Sequence, residues 1–166
     1  MAKKTILKWA IFLYSFLYIF SCTTVENMDN DYNIDLALVN QNNWSMSNDI
    51  LYLINQYRAK EGKSVFVKDT LYATAYAVKH TKHMISTNNV SHDYFYYRSN
   101  GLKDKGAIKV SENVAYGYSS ANSVVNAWLG SESHRKVIEE DYSNVGFGVL
   151  KSLSNNRYYF TMLFYK

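Results

Sequence analysis

Residues 157–166 read RYYFTMLFYK. Side chains alternate across a strand, and here both alternating sets are apolar or aromatic. A strand of that kind has to be covered on both sides. VGFGVLK (145–151) lies just before it, across LSNN. The two segments therefore read as a terminal β-hairpin with a loop of about four or five residues.

The segments upstream supply the covering layers. Ile50, Leu51, Ile54 and Tyr57 recur at helical spacing, with Ser47 or Asn48 as a start signal and Gly62 as a stop. VFV (65–67) is a short strand-like run. A second helix follows Asp69, with Leu71, Ala75, Val78 and Ile85 on its apolar side, and Asn88 and Asn89 close it. Residues 90–109 read as irregular. VSENVAYG (110–117) is strand-like. Ser119 or Ser120 opens a helix through Val124, Val125 and Trp128, and ESHRKVI forms a short helical turn capped by Ser131 or Ser133. Helices on both faces of a small, mainly antiparallel sheet satisfy this order, which makes the fold class α+β. There is no proline, so the turns rely on Gly, Asn, Asp and Ser.

The N-terminus has a different character. MAKKTILK is basic, WAIFLYSFLYIF (9–20) is apolar, and SCTT follows with the only cysteine, Cys22. A spanning helix needs about 20 apolar residues, so the run fits the core of a secretory signal. It resembles a bacterial lipoprotein signal over residues 1–21, with Cys22 as the lipid attachment site. Removing that segment takes Lys3, Lys4 and Lys8 with it and leaves the rest of the chain near neutral. Such a balance gives no electrostatic case for nucleic acid. Residues 22–47 are rich in Asn and Asp and read as a tether to the membrane, in which DLALV can pack as a short turn and Trp44 docks. The domain proper is expected over 48–166. One cysteine excludes an intrachain disulfide framework, so the domain must hold together by packing.

Glu112 sits among Val110, Val114 and Ala115 in a strand fit for burial, where an unpaired carboxylate costs several kcal/mol, about 3 or more. It needs a partner. His92 and His134 come from two other segments, each near the end of an expected element. A carboxylate bonded to a histidine fixes the ring tautomer, and two imidazoles can hold a divalent ion with positions left for water. His80 and His83, three apart beside Lys79 and Lys82, read as a polar rim.

Several motifs occur in order. Asn55, Arg58, Gly62, Val65 and Asp69 precede Leu71 and an Ala-rich helix with Ala73, Ala75 and Ala77. Then come Ser91-His92, Ser111-Glu112-Asn113-Val114-Ala115 with Gly117, Trp128-x-x-Ser131-x-x-His134-Arg135, and Val145-Gly146-Phe147-Gly148. From about residue 48 onward this resembles the bacterial branch of the CAP superfamily (SCP domain), which includes cysteine-rich secretory proteins, antigen 5 and plant pathogenesis-related proteins. The resemblance implies a three-layer α-β-α sandwich. It also implies a cleft where His92, His134 and Glu112 converge, with Zn²⁺ or another divalent cation at the histidines. Two departures stand out. Ser131 occupies a cleft position that is a second Glu in animal and plant members, and Ser111 replaces the Gly before Glu112. Asn113 and Trp128 belong to the same motifs. Asn55 and Arg58 are expected to pin their helix to neighbouring backbone or carboxylates, and some of the aromatic run Tyr94 to Tyr97 to line the cleft entrance or contact envelope polymers.

The expected function is therefore that of a cell-envelope lipoprotein facing the extracytoplasmic side. Its cleft would bind a lipid, peptide or glycan beside a weak metal site. The alternative is a metal-dependent hydrolase, peptidase- or esterase-like, with Glu112 as the candidate catalytic base. A metal-free version would use Ser91 or Ser131 as nucleophile.

Overall fold

The structure, a computed structural model, describes residues 34–166. The signal segment 1–21 and the attachment site Cys22 lie outside the described residues. The 22–47 tether needs correcting from Ile34 onward. Ile34 is buried, a 3-10 helix spans Leu36–Gln41, and the Asn42 side chain is buried. Asn42 Oδ1 accepts from the Val149 backbone N–H at 2.9 Å, and Asn43 N–H donates to the Val149 carbonyl at 3.0 Å. A run rich in Asn looks like a tether, yet Asn can satisfy the backbone of a strand as well as water can.

Helix α1 (Trp44–Lys60) starts earlier than Ser47 because Asn43 caps it, its side chain accepting from Met46 N–H. Ser47 faces inward instead, hydrogen-bonded to Asn42. Strand β1 (Val67–Lys68) is short, and α2 (Tyr72–Thr87) ends on Asn88 in the left-handed region, φ 48°. Within 90–109 the sequence expectation of irregular chain fails, since α3 spans Phe95–Lys103. Only Arg98, Gly101 and Leu102 are buried on it. One cation and one glycine give too weak an apolar stripe for periodicity to register. Then follow β2 (Val110–Tyr116), α4 (Ala121–Gly130), α5 (Glu132–Glu139), β3 (Asn144–Lys151) and β4 (Tyr158–Tyr165). Ser120 and Ser123 form a reciprocal capping box at the start of α4.

The sheet order is β1-β3-β4-β2, with β1 parallel to β3 and the other pairs antiparallel. Strand β4 lies inside and is covered on both faces. Phe160, Met162 and Phe164 pack with Ile50, Ile54, Val124, Val125, Trp128 and Ile138 of α1, α4 and α5. Leu163 packs with Ala73, Tyr76 and Ala77 of α2 and Leu102 of α3, and Tyr159 meets Met84 and Val114. The result is a three-layer α-β-α sandwich. Strand β3 alternates Val145, Phe147 and Val149 toward α1 with Gly146 and Gly148 toward α2. A Cβ on Gly146 would run into the backbone of Ala73 and Thr74, and one on Gly148 into the Ala77 carbonyl. The glycines let α2 lie directly on the sheet, where Thr74 Oγ1 accepts from Phe147 N–H and Thr81 Oγ1 donates to the Gly148 carbonyl.

Arg58 is buried in the α1 layer. It donates to the carbonyls of Ser64, Ile138 and Glu140, and its guanidinium lies over the Phe66 ring. Asn55 exchanges two hydrogen bonds with the Phe66 backbone. Asn55 ties α1 to the segment leading into β1, and Arg58 ties it to that segment and to the C-terminal end of the helix Glu132–Glu139.

Candidate functional site at the edge of the sheet

Strand β2 is an edge strand, so consecutive residues on it face opposite helical layers at the rim of the molecule. Glu112 points toward α2 and α3. Its side chain is 1% exposed. Arg98 grips it in a fork, Nε to Oε2 and Nη2 to Oε1, both at 2.8 Å. His92 Nδ1–H donates to Oε1 at 2.8 Å. Burial pushes the Glu112 carboxyl up. The His92 hydrogen bond and the Arg98 charge and hydrogen bonds outweigh it, holding the group below the ordinary carboxylate range. So the buried carboxylate does face His92, and it also faces a cation that the sequence reading missed. The signal for Arg98 was the charge itself: a buried Glu needs a cationic partner, and Arg98 is the only arginine between Arg58 and Arg135.

The polar-rim reading of His80 also needs correcting. The residue is 2% exposed, because the buried face of α2 runs through Ala73, Tyr76, Ala77, His80 and Met84 at helical spacing. Its Nε2 lies 2.7 Å from the Ser91 carbonyl and 3.9 Å from Glu112 Oε1. Burial pushes its pKa down to about 4. His83 does sit on the surface, with Asp93 at 3.4 Å and the Tyr94 ring edge-on at 5.3 Å. Tyr94 and Tyr96 are exposed, and Tyr94 holds a left-handed backbone, φ 60°, at the start of α3.

Asn113, the next residue on β2, points to the other layer. Its Nδ2 donates to the His134 carbonyl at 3.1 Å. The His134 ring is half-buried, with Nδ1 2.9 Å from Ser131 Oγ. Burial, and then the neighbouring His92, push its pKa down. Ser131 is the residue before α5, yet its hydroxyl makes no capping bond and turns to His134 and Ser133 instead. Trp128 Nε1–H donates to the Val114 carbonyl at 3.2 Å, closing the α4 side. Between these elements lies a groove of about 260 Å³, lined by Val90, Val114, Ala115, Tyr116, Tyr118, Ala127, Trp128, Ser131 and His134.

A model of the cysteine-rich secretory protein family (CAP) matches residues 51–164. The chain belongs to the CAP family. This CAP domain superposes on an outer surface protein of Borrelia burgdorferi with a TM-score of 0.66 and 25% identity, covering 74% of this chain and 92% of that one. It also superposes on an extracellular SCP-domain protein of Bacillus anthracis with a TM-score of 0.63 and 26% identity, covering 75% of this chain and 41% of the other. An uncharacterized membrane protein of Bacillus subtilis, YlbC, is 36% identical over an alignment of 124 residues, covering 70% of this chain and 33% of the relative. The chain thus spans about a third of the length of that curated relative. Among the described residues, no helix is long and apolar enough to cross a membrane.

The family's metal can be tested against this CAP domain's own donors. Among the described residues, no group of three or more His, Cys, Asp or Glu side chains is placed to hold an ion. Glu112 is committed to Arg98 and His92, and Ser131 offers a hydroxyl, not a carboxylate. What remains is two imidazoles, each with Nδ1 engaged and Nε2 free of protein partners among the described residues. That set falls short of the three protein ligands typical of catalytic zinc.

Proposed function

We propose that this CAP domain is an extracytoplasmic binding module. It is held at the membrane through a lipidated Cys22 and takes a ligand in the groove beside β2. Lipid, peptide and glycan are the candidate classes, with His92 and His134 contributing imidazole nitrogens and weak affinity for Zn²⁺ or a similar cation. The observation that carries this reading is the state of Glu112. Three N–H groups hold it in a nearly inaccessible position, so it orients His92 and is not presented as a base to a substrate. The names of the relatives, a membrane protein and an extracellular SCP protein, support the placement.

Two measurements test it. Zinc calorimetry on the full-length chain should give heats that fall in His92→Ala and His134→Ala, and equal heats in all three proteins would remove the metal component. Mass spectrometry of membrane-extracted protein should show acylated Cys22 as the first residue, lost in Cys22→Ser.

A second reading rests on the contact between Ser131 and His134. A serine hydroxyl 2.9 Å from an imidazole nitrogen, on the wall of a groove and freed from capping, is the arrangement of an activated nucleophile. Hydrolysis through this pair would label Ser131 covalently with a fluorophosphonate probe, and labelling would vanish in Ser131→Ala and in His134→Ala. An unlabelled native protein would reject it and leave the binding module.

A further inference from the structure

We propose that His80 is a positioning residue that holds the loop presenting His92; this rests on the reading of His92 as a ligand-facing imidazole.

The argument starts from the loop. Three consecutive carbonyls are each held by a different donor: Ser91 by His80 Nε2 at 2.7 Å, His92 by Phe95 N–H at 3.0 Å, and Asp93 by Arg98 Nη1 at 2.6 Å. The first of these comes from the middle of α2, the rigid layer on the sheet. A carbonyl can only accept, so the His80 proton sits on Nε2. Its Nδ1 is then a buried acceptor, and it has no hydrogen-bond partner. A buried unsatisfied nitrogen is costly, and an apolar side chain of similar size would fill the same space without that cost. The Nε2–H gives the histidine its use. It fixes the Ser91 carbonyl, and through the next residue it fixes the direction of the His92 ring. His92 can then keep Nδ1–H on Glu112 and turn Nε2 outward, where its side chain is 55% exposed.

The test is imidazole ¹⁵N NMR on the full-length chain, with urea unfolding as a check on folding. In the native protein at neutral pH, His80 shows the Nε2–H tautomer and His92 a single Nδ1–H tautomer. An Nδ1–H tautomer at His80 overturns the proposal whatever the variants do. In His80→Leu, His92 shifts toward the mixed tautomers of a free imidazole and zinc affinity drops by roughly tenfold. His80→Gln, which keeps an N–H donor on a side chain of comparable reach, restores the His92 spectrum and brings affinity back to within about twofold. A folded Leu variant with an unchanged His92 tautomer, or a Gln variant no better than Leu, overturns the proposal. Native protein that binds no zinc defeats the metal reading above, and the His92 tautomer comparison still decides the role of His80.

Discussion

Arg98 and Glu112 are worth more to each other than either would be alone. Removing the cation strands a carboxylate that is 1% exposed. Arg98→Leu should therefore lose about 3–5 kcal/mol in urea unfolding. Arg98→Met combined with Glu112→Leu should regain most of the loss, since replacing a buried ion pair by packed apolar groups is often close to neutral. His80 sets a pH dependence. Its pKa in the fold, about 4, lies below the ordinary 6.5. The unfolded chain therefore takes up the proton first as the solution is acidified. The stability linked to this group is complete above pH 6.5 and is lost as pH falls toward 4, at most roughly 3 kcal/mol. Urea midpoints of the native protein should fall between pH 7 and pH 5, and His80→Gln should flatten that part of the profile. The depressed Glu112 group acts in the same direction lower down, where its stabilisation disappears as pH falls through its folded pKa.

At the scale of elements, the contact between α2 and β3 is set by two missing Cβ atoms. A methyl on Gly148 meets the Ala77 backbone carbonyl, which cannot swing away as a side chain would. Gly148→Ala should cost about 1–3 kcal/mol. Gly130→Ala, where nothing lies within 4 Å of the added Cβ, is the control and should be neutral or slightly stabilising. The elements legible in the sequence were those whose pattern depends on burial of a whole face. RYYFTMLFYK announced an inner strand, and Val145, Phe147 and Val149 alternating with glycine announced its partner. The second helix showed its Ala-rich side. Helix α3 was illegible because its inward face is built from Arg98, Gly101 and Leu102, and an arginine counts as surface until its partner is known. For the same reason the carboxylate–histidine contact was read from Glu112, while Arg98 and His80 left only indirect signals, the need of a buried carboxylate for a cation and a helical spacing shared with Ala73, Tyr76 and Ala77.

For the molecule as a whole, the folded unit begins well before residue 48. A chain started at 48 loses Ile34 from the α2 layer, the first turn of α1 with its Asn43 cap, and the Asn42 acceptor for Val149 N–H. At roughly 4 °C per kcal/mol for a domain of this size, it should melt about 10 °C below a chain started at 34, read by circular dichroism. The position of β2 carries the last consequence. Because Glu112 and Asn113 sit on an outer strand and lean to opposite sides, His92 belongs to one half of the sandwich and His134 to the other. Whatever grasps both rings spans the seam between two separately packed halves, as a clasp does. Its arrival should slow amide exchange in α2 and α5 together, though those helices lie on opposite sides of the sheet.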